Sequence, residues 1–494
     1  MLSAALLMMT SAAANAVEMP ADIQKANIFH AFDWKFSDIR EELPRIAEAG
    51  FGAVQVSPVQ GNCGEGADWY FAYMPYDLKM TSWKCNGNGS RDELTALCDE
   101  AEKYGIKIVV DVVANHINKS KANRNGWWNE EGRERNKGAI NFGSRKSIIT
   151  GNLGEYHDIV SENPEVQARC VEFLEDLKSM GVKGIRWDAA KHIGLPSEDC
   201  DFWKSVTAVD GLWHYGEILD NPGGSNDKDW KVAKEYAEYI GMTDNSICKS
   251  WLSGLRSSSM HTQPTNLTAS YKSAGKGIPA DRIVYWGESH DSYANTDGYS
   301  KSAAQDAVDR AYILGACRRY ETALYFSRPA EKEYKKIKMG VKGSTHGLED
   351  PTVKAVNNFR IAMGDREEAM EMKPGSTGHF TLVRKDGGAL IMTGKKSEAE
   401  VSVANDDGFI PAGEYRDLVT GNIFTVTAET ISGKVSPLGV GLISVLNPAS
   451  VEDLEIERPA SEAAYYTIQG VRVESPSEGL YIRVKDGKAT KVML

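Results

Sequence analysis

Residues 92–116 read DELTALCDEAEKYGIKIVVDVVANH. The first half, Asp92–Tyr104, carries apolar residues at helical spacing, and the second, Ile106–Asn115, is a β-branched run of strand length. The same alternation extends from Asn27 to about Arg360. Gly52–Ser57, Gly184–Ala189, His214–Leu219, Ile283–Glu288 and Ala323–Phe326 have strand character. Pro164–Met180 is helical, with Pro164 suited to a first turn and Gly181 to a C-terminal stop. Strands alternating with helices imply a parallel sheet covered by helices. Near-continuous apolar strands over so long a span favour a closed (β/α)8 TIM barrel. A doubly wound sheet is the alternative, but no Gly-x-Gly-x-x-Gly follows the first strand.

The barrel is expected in two parts, residues 17–117 and 160–365. Between them, residues 118–159 are polar and rich in Asn, Gly, Arg and Lys, too long for a bare connection, and read as an inserted domain. After about Gly364 the helical signal stops. Phe380–Lys385, Gly388–Thr393, Glu400–Ala404, Gly413–Leu418 and Gly439–Val445 predict an antiparallel β-sandwich over 366–447. Residues 448–494 form an acidic linker and a short β-like tail. The tail, Tyr465–Leu494, resembles C-terminal sorting segments of some secreted Gram-negative proteins. At the other end, Leu2–Ala16 is a short apolar stretch closing on Ala14-Asn15-Ala16, the pattern of a cleaved signal peptide over residues 1–16. The expected location is therefore secreted: periplasmic, cell-surface or extracellular.

Composition narrows the function. Apolar residues at 41% and charged residues at 26% describe a globular chain. No run of about 18 apolar residues occurs, so no transmembrane segment is expected. The net charge of −12, without basic clusters, sets nucleic acid aside. Seven cysteines leave at least one unpaired. Cys98, Cys170 and Cys317 sit in helical apolar patterns as core thiols, and Cys63 and Cys85 flank a Gly/Trp/Tyr-rich loop where a disulfide could form.

Polar groups stand at four strand ends where the pattern calls for apolar ones. They are Asp111 with Asn115-His116, Arg186-x-Asp188 with Lys191-His192, Glu217, and Glu288-x-His290-Asp291. Each alone has a structural explanation, as a buried ion pair or a capped imidazole. Together they would converge at the C-terminal mouth of a parallel barrel, where active sites form. Carboxylates, imidazoles and an Arg without a Ser or Cys nucleophile suit glycoside hydrolysis, in which one carboxylate attacks the anomeric carbon and another protonates the leaving oxygen. Metal-assisted hydrolysis is the rival, but no His-Glu-x-x-His cluster is present.

The segments DVVANH (111–116), GIRWDAAKH (184–192), EILD (217–220) and ESHD (288–291) resemble, in order, the four sequence regions of the α-amylase family, glycoside hydrolase family 13. The similarity runs roughly from Ile28 to Asn447 and is strongest to compact bacterial secreted α-amylases. It implies Asp188 as nucleophile, Glu217 as general acid then base, and Asp291 as the residue that binds the distorted sugar. Arg186, two residues along the strand and on the same side, would keep Asp188 ionised. Glu217 has no cation beside it in sequence, which suits a raised pKa. His116 and His290 would bond sugar hydroxyls, and Lys191 would serve the acceptor side. DWYFAYMPYD (68–77) resembles the family's aromatic platform, with Tyr73 stacking on the sugar and Trp69 and Tyr70 as neighbours. Met74 stands where Gln is usual.

The resemblance further implies a structural Ca2+ between barrel and insertion, held by Asn115, Asp158 and the backbone carbonyl of His192. It implies the chloride-independent form, from Leu324–Pro329. The expected activity is that of an endo-acting, retaining α-amylase, a monomer acting on α-glucans (starch, glycogen, maltodextrins). A maltodextrin-directed hydrolase or transglycosylase, and a non-catalytic starch-binding surface protein, are the alternatives.

Overall fold

The computed structural model describes residues 18–80, 87–219, 222–227, 230–260, 278–405, 408–448, and the strands within 464–493. The leader at 1–16 lies outside the described residues, as does Cys85, so the Cys63–Cys85 pairing is not tested. Cys98, Cys170 and Cys317 are buried as free thiols, and Cys63 is an exposed one.

Eight parallel strands close the barrel: β1 (Asn27–Ala31), β2 (Phe51–Val56), β3 (Lys107–Val113), β4 (Gly184–Asp188), β5 (Trp213–Gly216), β6 (Gly241–Thr243), β7 (Ile283–Trp286) and β8 (Thr322–Phe326). β1 pairs with both β2 and β8, which completes the ring. Each strand is followed by a helix: α1 (Phe36–Glu48), α2 (Arg91–Lys103), α3 (Pro164–Ser179), α4 (Phe202–Thr207), α5 (Lys231–Tyr239), α6 (Asn245–Arg256), α7 (Gln305–Ala316) and α8 (Pro351–Met363). Local chemistry starts these helices. Ser90 and Glu93 form a reciprocal capping box on α2, and Asn163 caps α3 with Pro164 in its first turn. The strands are buried along almost their whole length because helices cover them outside and packed side chains fill them inside.

Between β3 and α3, a small antiparallel sheet forms from His116–Ile117, Glu134–Arg135 and His157–Ile159, the last in the middle. After α8, the chain forms an eight-stranded antiparallel sheet: β9 (Glu368–Lys373), β10 (His379–Arg384), β11 (Gly388–Thr393), β12 (Ala399–Ala404), β13 (Gly413–Asp417), β14 (Ile423–Val426), β15 (Thr430–Val435) and β16 (Val440–Pro448). Their order is β9-β10-β11-β16-β13-β14-β15-β12. Val383, Ile391, Phe424, Ile431 and Ile443, drawn from both halves of that order, pack into one core, so the sheet closes over itself. Met1–Asn447 is one compact unit and Pro448–Leu494 a second. The second holds a four-stranded antiparallel sheet built from Ala464–Thr467, Arg472–Val473, Leu480–Lys485 and Lys488–Met493.

Candidate active site

The parallel register builds the site. Asp111 on β3 pairs with Arg186 on β4, and Arg186 with Tyr215 on β5. One residue past β5, the Glu217 N–H donates to the Trp187 carbonyl at 2.9 Å, which sets Glu217 level with Asp188 at the strand ends. Arg186 is buried at the centre. Its Nη1 donates to Asp111 Oδ1 at 3.0 Å and to Asp188 Oδ1 at 2.8 Å, while Nη2 donates to Glu217 Oε2 at 3.1 Å. Asp111 is held from its other side by the Tyr73 hydroxyl, which donates to Oδ2 at 3.0 Å. The backbone then turns through Ala189 in the left-handed region (φ 49°), and its N–H donates to Glu217 Oε2 at 3.0 Å.

Three carboxyls around one guanidinium exceed its charge, so the cluster retains protons. Burial pushes Asp188 up to about 7, with Arg186 pulling it down and Glu217 and Asp111 adding to the rise. Burial also pushes Glu217 upward, but Arg186 and the Ala189 N–H outweigh it and hold Glu217 below its ordinary value. The cation-free setting inferred for Glu217 from its chain neighbours is therefore corrected. The cation arrives from the adjacent strand, which linear proximity does not reveal. Around the common guanidinium Asp188 is the more readily protonated carboxyl and Glu217 the more readily ionised one.

Most of the expected residues meet in one cleft of about 300 Å³. Trp69, Tyr70, Tyr73, His116, Lys191, His192 and His290 line it together with Asp188, Glu217 and Asp291. The Tyr73 ring stacks on His290, centroids 5.3 Å apart. Burial and the nearby Arg186 push His290 down to about 3, so it is a neutral imidazole at any working pH. His116 Nε2 engages the Tyr73 carbonyl at 2.9 Å, while its Nδ1 is buried without a partner. Lys191 sits 5.3 Å from the Phe142 ring centre. Asp291 Oδ1 accepts from Asn295 Nδ2 at 3.0 Å. Tyr70 is committed to its neighbours: its hydroxyl donates to Asp68 at 2.7 Å and its ring stacks on Tyr334 at 4.8 Å. Sequence reasoning missed Tyr334, and also Tyr156, whose ring stacks on His116 at 4.8 Å. Both line the cleft from segments outside the four motifs. Glu288 is occupied elsewhere, in a buried pair with Arg328 at 2.6 Å.

At the junction of barrel and insertion, Asn115, Asp158 and His192 also meet. The Asn115 side-chain oxygen faces only acceptors, the His192 carbonyl at 3.2 Å and Asp158 Oδ1 at 3.1 Å. Turning the amide would satisfy both oxygens; a cation among the three oxygens would do so as well. Asp158 Oδ2 accepts from Arg135 at 2.6 Å, yet burial still pushes the Asp158 carboxyl up to about 8. A second positive partner is what this carboxylate lacks, so the donor set fits a hard divalent ion. Among the described residues, Asp309, His346 and Asp350 are the group of three His or acidic side chains close enough to share an ion. There His346 Nε2 is already bonded to Asp309 at 2.8 Å, and Asp309 Oδ1 accepts from Tyr325.

No protein-family model matches the sequence. The chain is 31% identical over 479 residues to the α-amylase of Butyrivibrio fibrisolvens, covering 85% of this chain and 47% of that protein. To the α-amylase of Clostridium acetobutylicum it is 28% identical over 417 residues, covering 79% of this chain and 50% of that one. The chain thus spans about half the length of these curated relatives. Among solved structures, a mutant of α-amylase I from Eisenia fetida in complex with maltohexaose superimposes with a TM-score of 0.64 at 16% identity. That match covers 85% of this chain and 97% of the other.

Proposed function

We propose that this chain, similar over most of its length to two bacterial α-amylases, is a secreted, endo-acting α-amylase that hydrolyses internal α-1,4 bonds of starch and glycogen with retention. One observation carries the reading: Asp188 and Glu217, from adjacent strands, bond different nitrogens of the same buried guanidinium, and Asp291 lines the cleft with them. A shared guanidinium favours the close spacing of a retaining pair, about 5–5.5 Å, over the roughly 6.5–9.5 Å by which an inverting pair admits a water.

The steps follow from this geometry. In the free site the proton is biased toward Asp188, so the reaction requires substrate entry to move it to Glu217, leaving Asp188 ionised beside Arg186. Asp188 attacks C1 of the sugar, the glycosidic bond breaks, and the Glu217 proton goes to the departing oxygen. Asp291 bonds the hydroxyls of the distorted ring. Water then attacks C1 of the ester, its proton passes to Glu217, and the Asp188 carboxylate is released. The Tyr73–His290 stack gives the ring an apolar face, and neutral His290 bonds hydroxyls without adding a charge.

Asn115 Oδ1, Asp158 Oδ1 and the His192 carbonyl would hold Ca2+. The ion would supply positive charge that ties the insertion to the barrel and takes no part in bond cleavage. The short Ala-rich leader supports export, and the protein acts as a monomer on α-glucans. Glu217→Gln and Asp188→Asn should each reduce sugar release from soluble starch by at least about 10²-fold. NMR of the wild-type reaction should show the α-anomer first. Full activity in either variant, or initial β-anomer, would refute the reading.

A further inference from the structure

A second cavity of about 330 Å³ opens beside the sugar cleft. The two share Glu217, Leu219, His290, Asp291 and Asn295 as a common wall, but Tyr73, Asp188, His116 and Lys191 line only the sugar cleft. Polar groups that no motif includes line the side chamber. Thr243 closes β6 and Asn245 opens α6, and both face this cavity with Tyr299. Thr243 is 3% exposed, yet among the described residues its hydroxyl has no hydrogen-bond partner, and neither does the buried Oδ1 of Asn245.

Buried polar groups without protein partners are costly unless water meets them, and a polar cavity of this size holds several waters. The floor is polar too. The Tyr215 hydroxyl donates to Gln55 Oε1, and Gln55 Nε2 lies 3.4 Å from His30 Nε2. The sugar-stacking platform and the nucleophile belong to the other cavity, so a glucan chain has its path there.

We propose that this side chamber is the binding site for the hydrolytic water, with Thr243 and Asn245 as positioning residues that order it against Glu217. The inference rests on the glycosidase reading above and deepens it, because it assigns what decides between hydrolysis and transfer. Once Asp188 carries the glycosyl group and the leaving sugar departs, a water held through Thr243 and Asn245 stands next to the Glu217 carboxylate. The water oxygen bonds to C1, its proton goes to Glu217, and the C1–O bond to Asp188 breaks with its electron pair returning to the carboxylate. An acceptor sugar reaching C1 from the main cleft would take the same step without using the chamber. The chamber therefore biases the ester toward water.

The test follows maltohexaose turnover by mass spectrometry, with and without maltose labelled at its reducing end, in wild type, Thr243→Val, Asn245→Leu and Thr243→Ser. The two apolar variants should raise the ratio of labelled transfer product to hydrolysis product about five-fold or more, the scale of one lost water contact. Their slowed turnover should recover when maltose is added, because the acceptor bypasses the missing water. Thr243→Ser, which keeps the hydroxyl, should match wild type. An unchanged ratio in both apolar variants, or a slowed turnover that maltose does not restore, overturns the assignment. A lower transfer ratio would mean that the chamber holds the acceptor sugar, which also overturns it. An inert wild type refutes the glycosidase reading itself, and this inference with it.

Discussion

At the scale of single residues, charge burial governs both chemistry and stability. Asp33 follows β1 with φ 60° and 1% exposure, and its N–H donates to the Ser57 hydroxyl. Burial pushes its carboxyl up to about 8, with the Ser57 contact opposing only in part. In the unfolded chain the same carboxyl titrates at its ordinary value of 3.8. The folded state therefore binds the proton more tightly, and this group's contribution is fully present below pH 4. It is lost as pH rises toward 8, at a total cost on the order of a few kcal/mol. Asp33→Asn removes the titration and keeps a side chain that tolerates the left-handed backbone. Chemical denaturation should find the variant more stable than wild type at pH 8 and close to it at pH 4. Equal pH slopes for the two proteins would contradict the argument. No residue-level pattern in the sequence gives this away, since Asp33 stands in an ordinary polar-apolar mixture. The roles of Asp188, Glu217 and Asp291 were legible because each sits in a motif. The partner of Glu217 was not, because Arg186 reaches it from the neighbouring strand rather than along the chain.

At the scale of elements, the long strands were legible and the short ones were not. β2, β3, β4 and β7 lie where strand-length runs in the sequence placed them, because strands buried on both faces are predominantly apolar. β1 escaped notice because Asn27 and His30 interrupt it, and β6 because three residues carry no period. β9 is half-buried along most of its length, β15 is irregular and only β14 alternates buried and exposed residues over four positions, too weak a signal beside their turns. The turn after β4 shows how an element's end becomes part of the site. Ala189 in the left-handed region aims its N–H at Glu217 Oε2, and nothing in the string WDAAKH announces that bend. Ala189→Val puts a β-branched side chain where an L-residue already costs about 1–2 kcal/mol, so the turn should relax away from it. The expected result is a kcat on starch lowered by about ten-fold or more with a smaller change in KM, because Glu217 loses a fixed donor while the cleft walls stay. Ala189→Gly, which adopts the same φ freely, should retain most of the rate. Equal kcat in the Val and wild-type proteins would show that the N–H does not position Glu217.

At the scale of the whole molecule, one barrel carries an insertion whose attachment is largely polar. Arg135 of the insertion bonds Asp158 Oδ2 at 2.6 Å and Glu162 Oε2 at 2.9 Å, so Asp158 has only Oδ1 left for a metal. With Asn115 from the end of β3 and His192 from the turn after β4, the proposed calcium would join three segments that are distant in sequence and adjoin the active carboxylates. The ion binds the folded arrangement only, so its removal should lower the unfolding free energy by about 2.7 kcal/mol, and the melting temperature with it, relative to calcium at a hundred times its Kd. Calorimetry in calcium and in EGTA should show that loss for wild type. Asp158→Asn, which keeps the shape and removes the charge, should melt at one temperature in both buffers. Arg135→Gln should act in the opposite sense: with the guanidinium gone, Asp158 depends on the metal alone, and the difference between calcium and EGTA should widen. A wild-type transition indifferent to calcium would leave the turned Asn115 amide as the bond that closes the junction, and Asn115→Asp would then destabilise the protein by setting two carboxylates face to face.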